Sequence, residues 1–396
     1  MLRTDALDYH LPPEQLATHP VEPRDSARLL VIRRNDPERF EHAQVRDLPD
    51  LLDAGDRLVL NTTRVLPARF LGYREDTGGK VEGLYLHDAQ PTDPTRPSPP
   101  VWLAMLKARR HKPGSIVRLL RAGKPTPYTL RMIAPEPDPP GTWRVEVHAD
   151  RQDIPLDAPS VLEAVGLTPL PPYILAARRA ASDPGDDPTD RAQYQTVYAG
   201  AEEANHGSSV AAPTAGLHFT PTLLDHLADK HIARTDVQLH VGAGTFKPVE
   251  TTHVEDHPIH AEWCTMSSKA VGEITRTRAA GCKVVAVGTT SVRTIESYAV
   301  AIESTDPQLS TVPSHLSTRL LLTPGCPLIW TDALLTNFHL PRSTLMALVA
   351  AMLQHPDEPP AADATPPGVA RLKAAYHEAI AKGYRFYSFG DAMLIL

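Results

Sequence analysis

Cysteine is scarce in this sequence, and its few copies lie far apart. The 396-residue chain has three cysteines, Cys264, Cys282 and Cys326. An odd and scattered set of this kind predicts neither a disulfide framework nor a thiolate metal site. Three unpaired thiols fit a reducing cytoplasm, where we expect the protein to work.

Long apolar runs are also missing. The longest lies near Leu345–Leu353 and is far shorter than the roughly 18 residues that a membrane span needs. The first residues, Met1–Asp5, are followed by no apolar segment, so no signal peptide is predicted. We therefore expect no membrane partner, and a chain of this length suggests two domains.

Acidic residues are absent from one stretch, although the formal net charge of the chain is −7. Between Pro94 and Pro135 there is no Asp or Glu, whereas Lys and Arg recur throughout. Such a basic block is typical of a contact with a phosphate backbone, and a solvated basic face is an equally good interpretation. The candidate contacts are Lys107, Arg109, Arg110 and Lys112 in this block and Arg64 outside it.

Hydrophobic patterning divides the chain into regions. From about Arg64 to Asp157, short β-like runs such as Val101–Lys107 alternate with Gly and Pro turn signals, which predicts a small antiparallel barrel or sandwich. Strands are predicted before it at Arg28–Arg33 and Arg57–Asn61, with a short helix capped by Asp47 between them.

After about Pro159, strands and helices alternate, which predicts a largely parallel sheet covered on both faces. The segments Ser182–Asp190 and His355–Gly368 are rich in Pro, Asp and Ala, and we expect them to be mobile. A helix is predicted to begin after Thr220 and another near Arg342.

Four polar loops follow predicted strands in this second region: Val210–Phe219, Leu239–Phe246, Gly288–Arg293 and Thr336–Ser343. Ligands of open α/β sheets bind beyond the carboxyl ends of strands, near helix N-termini. Each loop taken alone is more simply a turn, a helix cap or a core histidine. None carries the phosphate loop Gly-x-x-x-x-Gly-Lys or the elbow Gly-x-Ser-x-Gly.

The segment His257–Glu262 looks like a metal-binding cluster. In an extended conformation, His260 and Glu262 would share one face of a strand. Because no third ligand is evident, we favour a hydrogen-bonded pair over a metal and predict no metal site.

Several long motifs resemble the S-adenosylmethionine:tRNA ribosyltransferase-isomerase family of queuosine biosynthesis. They follow one another with family-like spacing from about Asp8 to Leu396: Leu11–Ser26, Asn61–Arg69, Ala211–Phe219, Leu239–Phe246, Gly288–Glu296, Leu335–Thr344 and Tyr384–Ile395. Two segments depart from the family pattern, Thr323–Trp330 and an insertion at Pro360–Gly368.

The resemblance implies a three-layer α/β/α domain, residues 1–63 and 158–396, with an antiparallel β-barrel inserted at residues 64–157. It also implies a reaction at the wobble position of tRNA. The ribosyl part of S-adenosylmethionine, a co-substrate, moves to 7-aminomethyl-7-deazaguanine and becomes an epoxycyclopentane, giving epoxyqueuosine, adenine and methionine. No bound cofactor or metal is implied, and we expect a monomer.

Such a reaction needs groups that the polar loops can supply. A base could remove the acidified C5′ proton beside the sulfonium, and histidine suits this role at neutral pH. A carboxylate needs Arg or a helix N-terminus, and an ammonium needs a carboxylate. Our candidate acid–base groups are His218, His240 and His339. The candidate substrate-binding residues are Thr214, Thr290, Arg293, Asp332, Arg342, Ser343 and Asp391.

Two other classes of function stay open at this point. An ordinary S-adenosylmethionine-dependent RNA methyltransferase would carry a glycine-rich loop after its first strand and an acidic residue ending its second, and we cannot place that pair. A non-catalytic RNA-binding protein would not need four polar loops in a separate domain.

Overall fold

The computed structural model describes residues 1–89, 99–107, 111–137, 141–183, 185–200, 209–241, 249–303, 312–355, 358 and 365–396. Its strands fall into two sheets. In chain order they are β1 (Arg28–Arg33), β2 (Asp36–Gln44), β3 (Arg57–Asn61), β4 (Arg69–Arg74), β5 (Lys80–Ala89), β6 (Val101–Lys107), β7 (Ile116–Arg121), β8 (Lys124–Glu136), β9 (Thr142–Ala149), β10 (Ala233–His240), β11 (Glu262–Thr265), β12 (Val284–Val287), β13 (Leu316–Thr318), β14 (Ala333–Asn337) and β15 (Ala392–Ile395).

Helices lie almost entirely outside the segment that forms β4 to β9. They are α1 (Leu48–Leu51), α2 (Ala158–Val165), α3 (Pro172–Ala180), α4 (Asp187–Gln193), α5 (Pro221–Asp229), α6 (Ser268–Ala279), α7 (Thr289–Glu303), α8 (Thr344–Leu353) and α9 (Pro367–Ala381). Within the described ranges, none of them is long and apolar enough to cross a membrane.

The large sheet has nine strands in the order β13-β11-β10-β3-β12-β14-β15-β1-β2. The four strands β10, β3, β12 and β14 are parallel to one another, whereas the outer pairs β11–β13 and β1–β2 are antiparallel. The prediction of a largely parallel sheet therefore holds for its centre. Because parallel strands share one carboxyl edge, the loops that follow β3, β12 and β14 emerge close together.

Both faces of this sheet are buried, as the continuous apolar run of β1 predicts. Leu30 and Ile32 pack in a core with helices α6 to α9. Leu29 and Val31 point to the other face and pack with α1 and α5. The alternation of side chains along one strand thus fills two cores at once.

Strands β4 to β9 form the second sheet, which is antiparallel throughout. They pair in the order β4-β5-β6-β9-β8-β7, and β7 pairs in turn with β4. Phe70, Trp102 and Leu130 lie in its core. The prediction of an antiparallel β segment between the two parts of the α/β region is confirmed, while the boundaries at residues 63/64 and 157/158 stay predictions.

The chain enters and leaves this second sheet at one place. Arg69, which begins β4, and Leu167, which follows α2, form an antiparallel bridge. The Arg69 N–H donates to the Leu167 carbonyl at 3.2 Å, and the Leu167 N–H donates back at 2.6 Å. The two ends of the inserted segment are therefore held together by backbone hydrogen bonds.

Two local predictions are wrong. The Asp47 side chain does not cap α1; it accepts a hydrogen bond from the backbone N–H of Gln44 at 2.8 Å. Within Ser182–Asp190, which we expected to be mobile, Asp186 caps helix α4, and Asp190 forms a buried ion pair with Arg178 at 2.9 Å. Tertiary contacts of this kind leave no trace in local composition. Of the other expected mobile segment, residues 356–357 and 359–364 lie outside the described ranges.

A buried carboxylate organises the segment that leads into β14. Glu296 of α7 is 1% exposed and accepts hydrogen bonds from the N–H groups of Ile329, Trp330 and Thr331 at 2.7, 3.0 and 2.8 Å. It also accepts from the Thr331 hydroxyl at 2.7 Å. One side chain therefore satisfies backbone donors that would otherwise be buried without partners.

We predict that Glu296→Ala lowers the free energy of unfolding by about 3 kcal/mol, because several buried N–H groups lose their acceptor. Urea unfolding followed by circular dichroism measures this change. Glu303→Ala on the exposed end of the same helix is the matched control and should stay within about 0.5 kcal/mol of the parent. Equal stability of the two variants would contradict the prediction.

Candidate active site

A pocket of about 400 Å³ opens at the carboxyl edge of the large sheet, where β12 and β14 end. Three of the four predicted polar loops contribute to it, through residues 211–215, 288–290, 336–341 and 343. The fourth loop contributes Val241, and its residues 242–248 lie outside the described ranges. Tyr173 and the pair Tyr387-Ser388 complete the wall.

His339 lies in this pocket and is 9% exposed. Its Nε2 atom is 2.8 Å from the Thr336 hydroxyl. Burial lowers the pKa of His339 to about 4, so the ring is neutral at physiological pH. Its Nδ1 atom has no hydrogen-bond partner in the part of the chain that the structure describes.

Two tyrosine hydroxyls hold the backbone of His339, one through its N–H group and the other through its carbonyl. The N–H of His339 donates to the Tyr376 hydroxyl at 2.7 Å, and the Tyr9 hydroxyl donates to the His339 carbonyl at 2.6 Å. Burial raises the pKa of both phenols, so both stay protonated. The imidazole is thus carried by a backbone with little freedom to move.

Tyr387 is held in an unusual conformation at the pocket wall. Its φ of +71° lies in the left-handed region, which costs a residue other than glycine roughly 1–3 kcal/mol. Its carbonyl accepts from Asn337 Nδ2 at 3.2 Å, and its N–H donates to the Phe338 carbonyl at 3.2 Å. Asn337 Oδ1 in turn accepts from the Thr214 hydroxyl at 2.9 Å. These bonds connect the loops that carry Thr214 and His339 with the segment before β15.

An aromatic wall stands beside them. The rings of Tyr173 and Tyr387 meet edge to face with their centroids 5.0 Å apart. The Tyr173 and Ser388 hydroxyls are 2.5 Å apart, and burial raises the pKa of Tyr173 to about 12. Walls of this type bind flat heterocycles by stacking, as in enzymes that accept a base flipped out of nucleic acid.

Thr290 brings an unused hydroxyl to the pocket. Its Oγ1 atom is buried and has no hydrogen-bond partner within the described ranges. It lies in the first turn of α7, two residues after Gly288, whose φ of +86° favours glycine. A buried hydroxyl without a partner is unfavourable, so a polar ligand atom at this place would be stabilised.

Ser343 and Arg342 differ in their positions, although they are adjacent. The Ser343 hydroxyl caps α8 by accepting from the Met346 N–H at 3.3 Å, and it donates to the Leu340 carbonyl at 2.8 Å. It lines the pocket, but its bonding is used by the fold. Arg342 has a φ of +53°, pairs with Asp8 through Nε at 2.9 Å and does not line the pocket.

His218 does not line the pocket. Its Nδ1 and Nε2 atoms each lie 3.0 Å from a carbonyl oxygen, those of Ala215 and Gly390 respectively. Burial lowers the pKa of His218, and the hydrogen bonds to the two carbonyls oppose this shift. In this position His218 links the loop before α5 to the segment before β15.

His240 ends β10 and precedes Val241 of the pocket, but does not line the pocket itself. Burial lowers its pKa. Its Nδ1 atom is buried and lacks a hydrogen-bond partner among the residues that the structure describes. The structure thus brings Thr214, Thr290 and His339 together in one pocket and places His218 and His240 behind its walls.

Arg293 lies one turn further along α7 and faces a separate cavity of about 50 Å³. It forms an ion pair with Glu262, the first residue of β11, and its Nε donates to the Leu320 carbonyl at 3.2 Å. Its Nη2 atom is buried and has no partner in the described part of the chain. Leu345 separates this cavity from the larger pocket and lines both.

Asp332 and Asp391 lie outside the pocket, contrary to the prediction that they face it. Asp332 precedes β14, at the opposite end of that strand from the pocket, and accepts from the Val284 N–H at 2.9 Å. Asp391 is 2% exposed and accepts from the N–H groups of Arg28 and Arg385 at 3.0 and 2.8 Å. Both carboxylates satisfy backbone donors of the fold.

The basic block is partly neutralised by the strands around it. Arg118 pairs with Glu75 and Asp150 at 2.8 and 2.7 Å, and Arg131 lies 3.6 Å from Glu146. Lys112 is exposed, whereas Lys107 and Arg64 line two further cavities. Arg109 and Arg110 lie outside the described ranges.

The described residues contain no group of three or more His, Cys, Asp or Glu side chains placed to hold a metal ion. In the segment that suggested one, Glu262 receives the guanidinium of Arg293.

The comparisons with known proteins agree over the whole chain. A family model described as "Queuosine biosynthesis protein" matches residues 4–395. The chain belongs to this queuosine biosynthesis protein family. Two relatives are each named S-adenosylmethionine:tRNA ribosyltransferase-isomerase. The one from Azorhizobium caulinodans is 41% identical, covering 100% of this chain and 99% of its own. The one from Thermus thermophilus is 43% identical, covering 99% of each.

A solved structure, that of an S-adenosylmethionine tRNA ribosyltransferase from Thermotoga maritima, is 29% identical. It covers 99% of this chain and 100% of its own, with a TM-score of 0.49.

In this family member, sequence reasoning missed the tyrosines. Tyr9, Tyr173, Tyr376 and Tyr387 come from distant parts of the chain, and none stands in a local pattern that marks a site. Only Tyr387 falls within a motif that carried the family resemblance, Tyr384–Ile395. Their convergence results from tertiary packing alone.

We predict that His339 titrates near pH 4 and stays neutral between pH 5 and 8, because burial disfavours its charged form. Since its pKa in the folded state is below the unfolded value of about 6.5, stability should fall as the pH drops from about 6.5 towards 4. NMR of the histidine ring protons, assigned with His339→Gln, measures the pKa. Titration of this ring near pH 6.5 would disprove the prediction.

Proposed function

We propose that this protein transfers the ribosyl group of S-adenosylmethionine to 7-aminomethyl-7-deazaguanine at the wobble position of tRNA and isomerises it. The products are epoxyqueuosine in tRNA, adenine and methionine. The family match over residues 4–395 and the names of the two relatives support this activity. Among the structural observations, a neutral His339 with one unbonded ring nitrogen, in a pocket with an aromatic wall, carries the proposal.

His339 is the residue to which we assign proton transfer. The sulfonium of S-adenosylmethionine acidifies the adjacent C5′–H, and Nδ1 can take that proton if the hydrogen on the ring resides at Nε2. The Thr336 hydroxyl at 2.8 Å can accept from Nε2–H and so select this tautomer. If the Thr336 hydroxyl donates to Nε2 instead, the ring hydrogen resides at Nδ1. Nδ1–H can then donate a hydrogen bond to a nitrogen of the departing adenine.

Thr290 is our candidate for a direct contact with substrate, since its buried hydroxyl lacks a partner within the described ranges. The N-terminus of α7, where it lies, is a suitable place for the methionine carboxylate. Arg293 and Arg342 are our other candidates, for this carboxylate or for a phosphate, and they pair with Glu262 and Asp8. Arg293 faces the smaller cavity and Arg342 does not line the pocket, so the helix N-terminus is the better candidate.

Thr214 and Ser343 contribute to the wall of the pocket through hydroxyls that are bonded within the fold. His218 and His240 act, in this proposal, by positioning the loops on which they lie. Asp332 and Asp391 stabilise the fold and do not contact substrate.

We also propose that the β4–β9 sheet closes into a barrel and that the α/β domain has three layers. The pairing of β7 with β4 supports closure, and the two cores on opposite faces of the large sheet support the layers. A monomer is proposed because one chain supplies the whole pocket wall described above. The cytoplasm is proposed as its location because tRNA is the substrate, and no bound cofactor is needed.

Incubation with S-adenosylmethionine and tRNA carrying 7-aminomethyl-7-deazaguanine tests the activity. We predict release of adenine in amounts equal to modified tRNA. His339→Ala should lower kcat about 100- to 10,000-fold, the usual cost of a lost acid–base group, with tRNA affinity unchanged. Thr142→Val, which alters a buried threonine of the β4–β9 sheet, is the matched folding control and should keep the parent rate.

Other outcomes separate the rival classes. S-adenosylhomocysteine in place of adenine would indicate a methyltransferase, and tRNA binding without any turnover would indicate an RNA-binding protein.

For the basic block, we predict that Arg109→Glu combined with Arg110→Glu weakens tRNA binding and lowers the slope of log affinity against log salt by about 1.5. Binding without these two phosphate contacts releases fewer counterions. Lys112 and Arg64 are expected to act in the same way. The control reverses two charges on α6, Lys269 and Arg278, which lie on exposed positions of the main domain. An equal salt slope in the Arg109/Arg110 variant and the parent would show that the block is only a solvated face.

A further inference from the structure

A second cleft, of about 430 Å³, lies between the β4–β9 sheet and helix α3. Its floor is the outward face of β4, β5 and β6. Side chains alternate along β5, so Val81 and Tyr85 point into the core while Glu82 and Leu84 point outwards. The outward face of a small antiparallel sheet is ordinarily polar, because it faces water.

Here the outward face is apolar in the middle and charged at its rim. Leu84 pairs directly across the strands with Met105, and Glu82 pairs with Lys107. Arg69 of β4 lies opposite Leu84 on the other side. Two apolar side chains thus lie next to each other, surrounded by one acidic and two basic residues.

The opposite wall of the cleft is also apolar. Leu170, Pro172 and Leu175 supply it from α3 and the residues before that helix, and Val210 closes one side. Leu175 is only half-buried, although it is a large apolar residue. The two walls therefore present apolar surfaces to each other across a space of ligand size, since ligand pockets typically measure about 300–1,000 Å³.

The charged groups at the rim are defined in position. Arg69 Nε donates to Glu82 Oε1 at 2.8 Å. Burial acts to raise the pKa of Glu82, but the hydrogen bond from Arg69 and the charges of Arg69 and Lys107 outweigh it and lower the pKa. Glu82 is therefore an ionised acceptor, and Lys107 is an exposed cation beside it.

This cleft lies next to the candidate active site. Pro172 lines both cavities, and Val210 of the cleft is followed by Ala211 of the pocket. A ligand with two neighbouring flat groups, such as a dinucleotide unit of single-stranded RNA, could place one group in each.

We propose that the cleft binds the base of a nucleotide adjacent to the modified one. That base stacks between Leu84 and Met105 on one side and Leu175 on the other, as unpaired bases do on apolar and aromatic protein surfaces. Glu82 accepts a hydrogen bond from its N–H or amino edge, and Lys107 contacts its phosphate. The proposal rests on the proposed function, because it presupposes an RNA substrate with its reacting base in the first pocket.

The test combines variants of the cleft with RNA that lacks the base. Met105→Trp and Leu175→Trp fill the space from opposite walls. An effect that both variants share is therefore poorly explained by misfolding. The substrate is an anticodon stem-loop carrying 7-aminomethyl-7-deazaguanine, either intact or abasic at its 5′ or 3′ neighbour. The readout is kcat/KM for adenine release. Val300→Trp on α7, where Val300 is 47% exposed, is the matched control.

With the parent protein, we expect an abasic residue on one side to lower kcat/KM about 10-fold, the usual range for a lost stacking contact. Each tryptophan variant should lower kcat/KM for the intact RNA similarly and show no further loss with that abasic RNA. Independent, multiplicative losses would overturn the proposal, as would unchanged kinetics in both tryptophan variants.

Failure of the proposed function would look different. In that case the parent protein would release no adenine from the intact stem-loop. Fluorescence anisotropy with the same RNAs then tests base binding in the cleft independently of turnover. Weaker binding of the abasic RNA to the parent, with no such difference in the tryptophan variants, would support the cleft, and equal binding of both RNAs to the parent would overturn it.

Discussion

The pairing of β15 between β14 and β1 is the constraint on which the rest of the structure depends. Leu394 lies opposite Leu335 of β14 on one side and Val31 of β1 on the other. Without β15, the hairpin β1–β2 would be separated from the parallel centre of the sheet. The residues just before β15 are therefore fixed at the carboxyl edge of β14, where Tyr387 and Ser388 complete the pocket wall.

The pocket is rigid because nearly every polar group in it is bonded to the fold. Asn337 connects Thr214 to the carbonyl of Tyr387, and the peptide of His339 is held by two phenols. In a low-dielectric site such a network has few alternative arrangements. Nδ1 of His339 and Oγ1 of Thr290 have no partner within the described ranges, so a ligand can use them.

The sequence alone predicts much of this fold, because hydrophobic patterning reflects burial directly. The strands Arg28–Arg33, Arg57–Asn61 and Val101–Lys107 have the predicted limits. Short polar segments gave less information. A helix such as α4 depends on the buried pair of Arg178 and Asp190, which join only after the chain has folded.

The same limit applies to the site. Polar loops at strand ends indicated the correct edge of the sheet, but not which side chains face the pocket. Asp391 and His218 point towards backbone groups of neighbouring segments, and Asp332 lies at the wrong end of its strand. Only three-dimensional packing distinguishes a carboxylate that satisfies an N–H group of the fold from one that awaits a ligand.

The bridge between Arg69 and Leu167 reduces the loss of chain entropy that the inserted sheet would otherwise impose on the main domain. Closing a flexible loop becomes less favourable as the loop lengthens, roughly as (3/2)RT ln n. A folded insertion whose ends already meet behaves instead like a tight turn, whatever its length. Residues can therefore be gained or lost at the far tips of the inserted sheet without strain on the nine-stranded sheet. Evolution could thus reshape the inserted sheet while the nine-stranded sheet beside it stays unchanged.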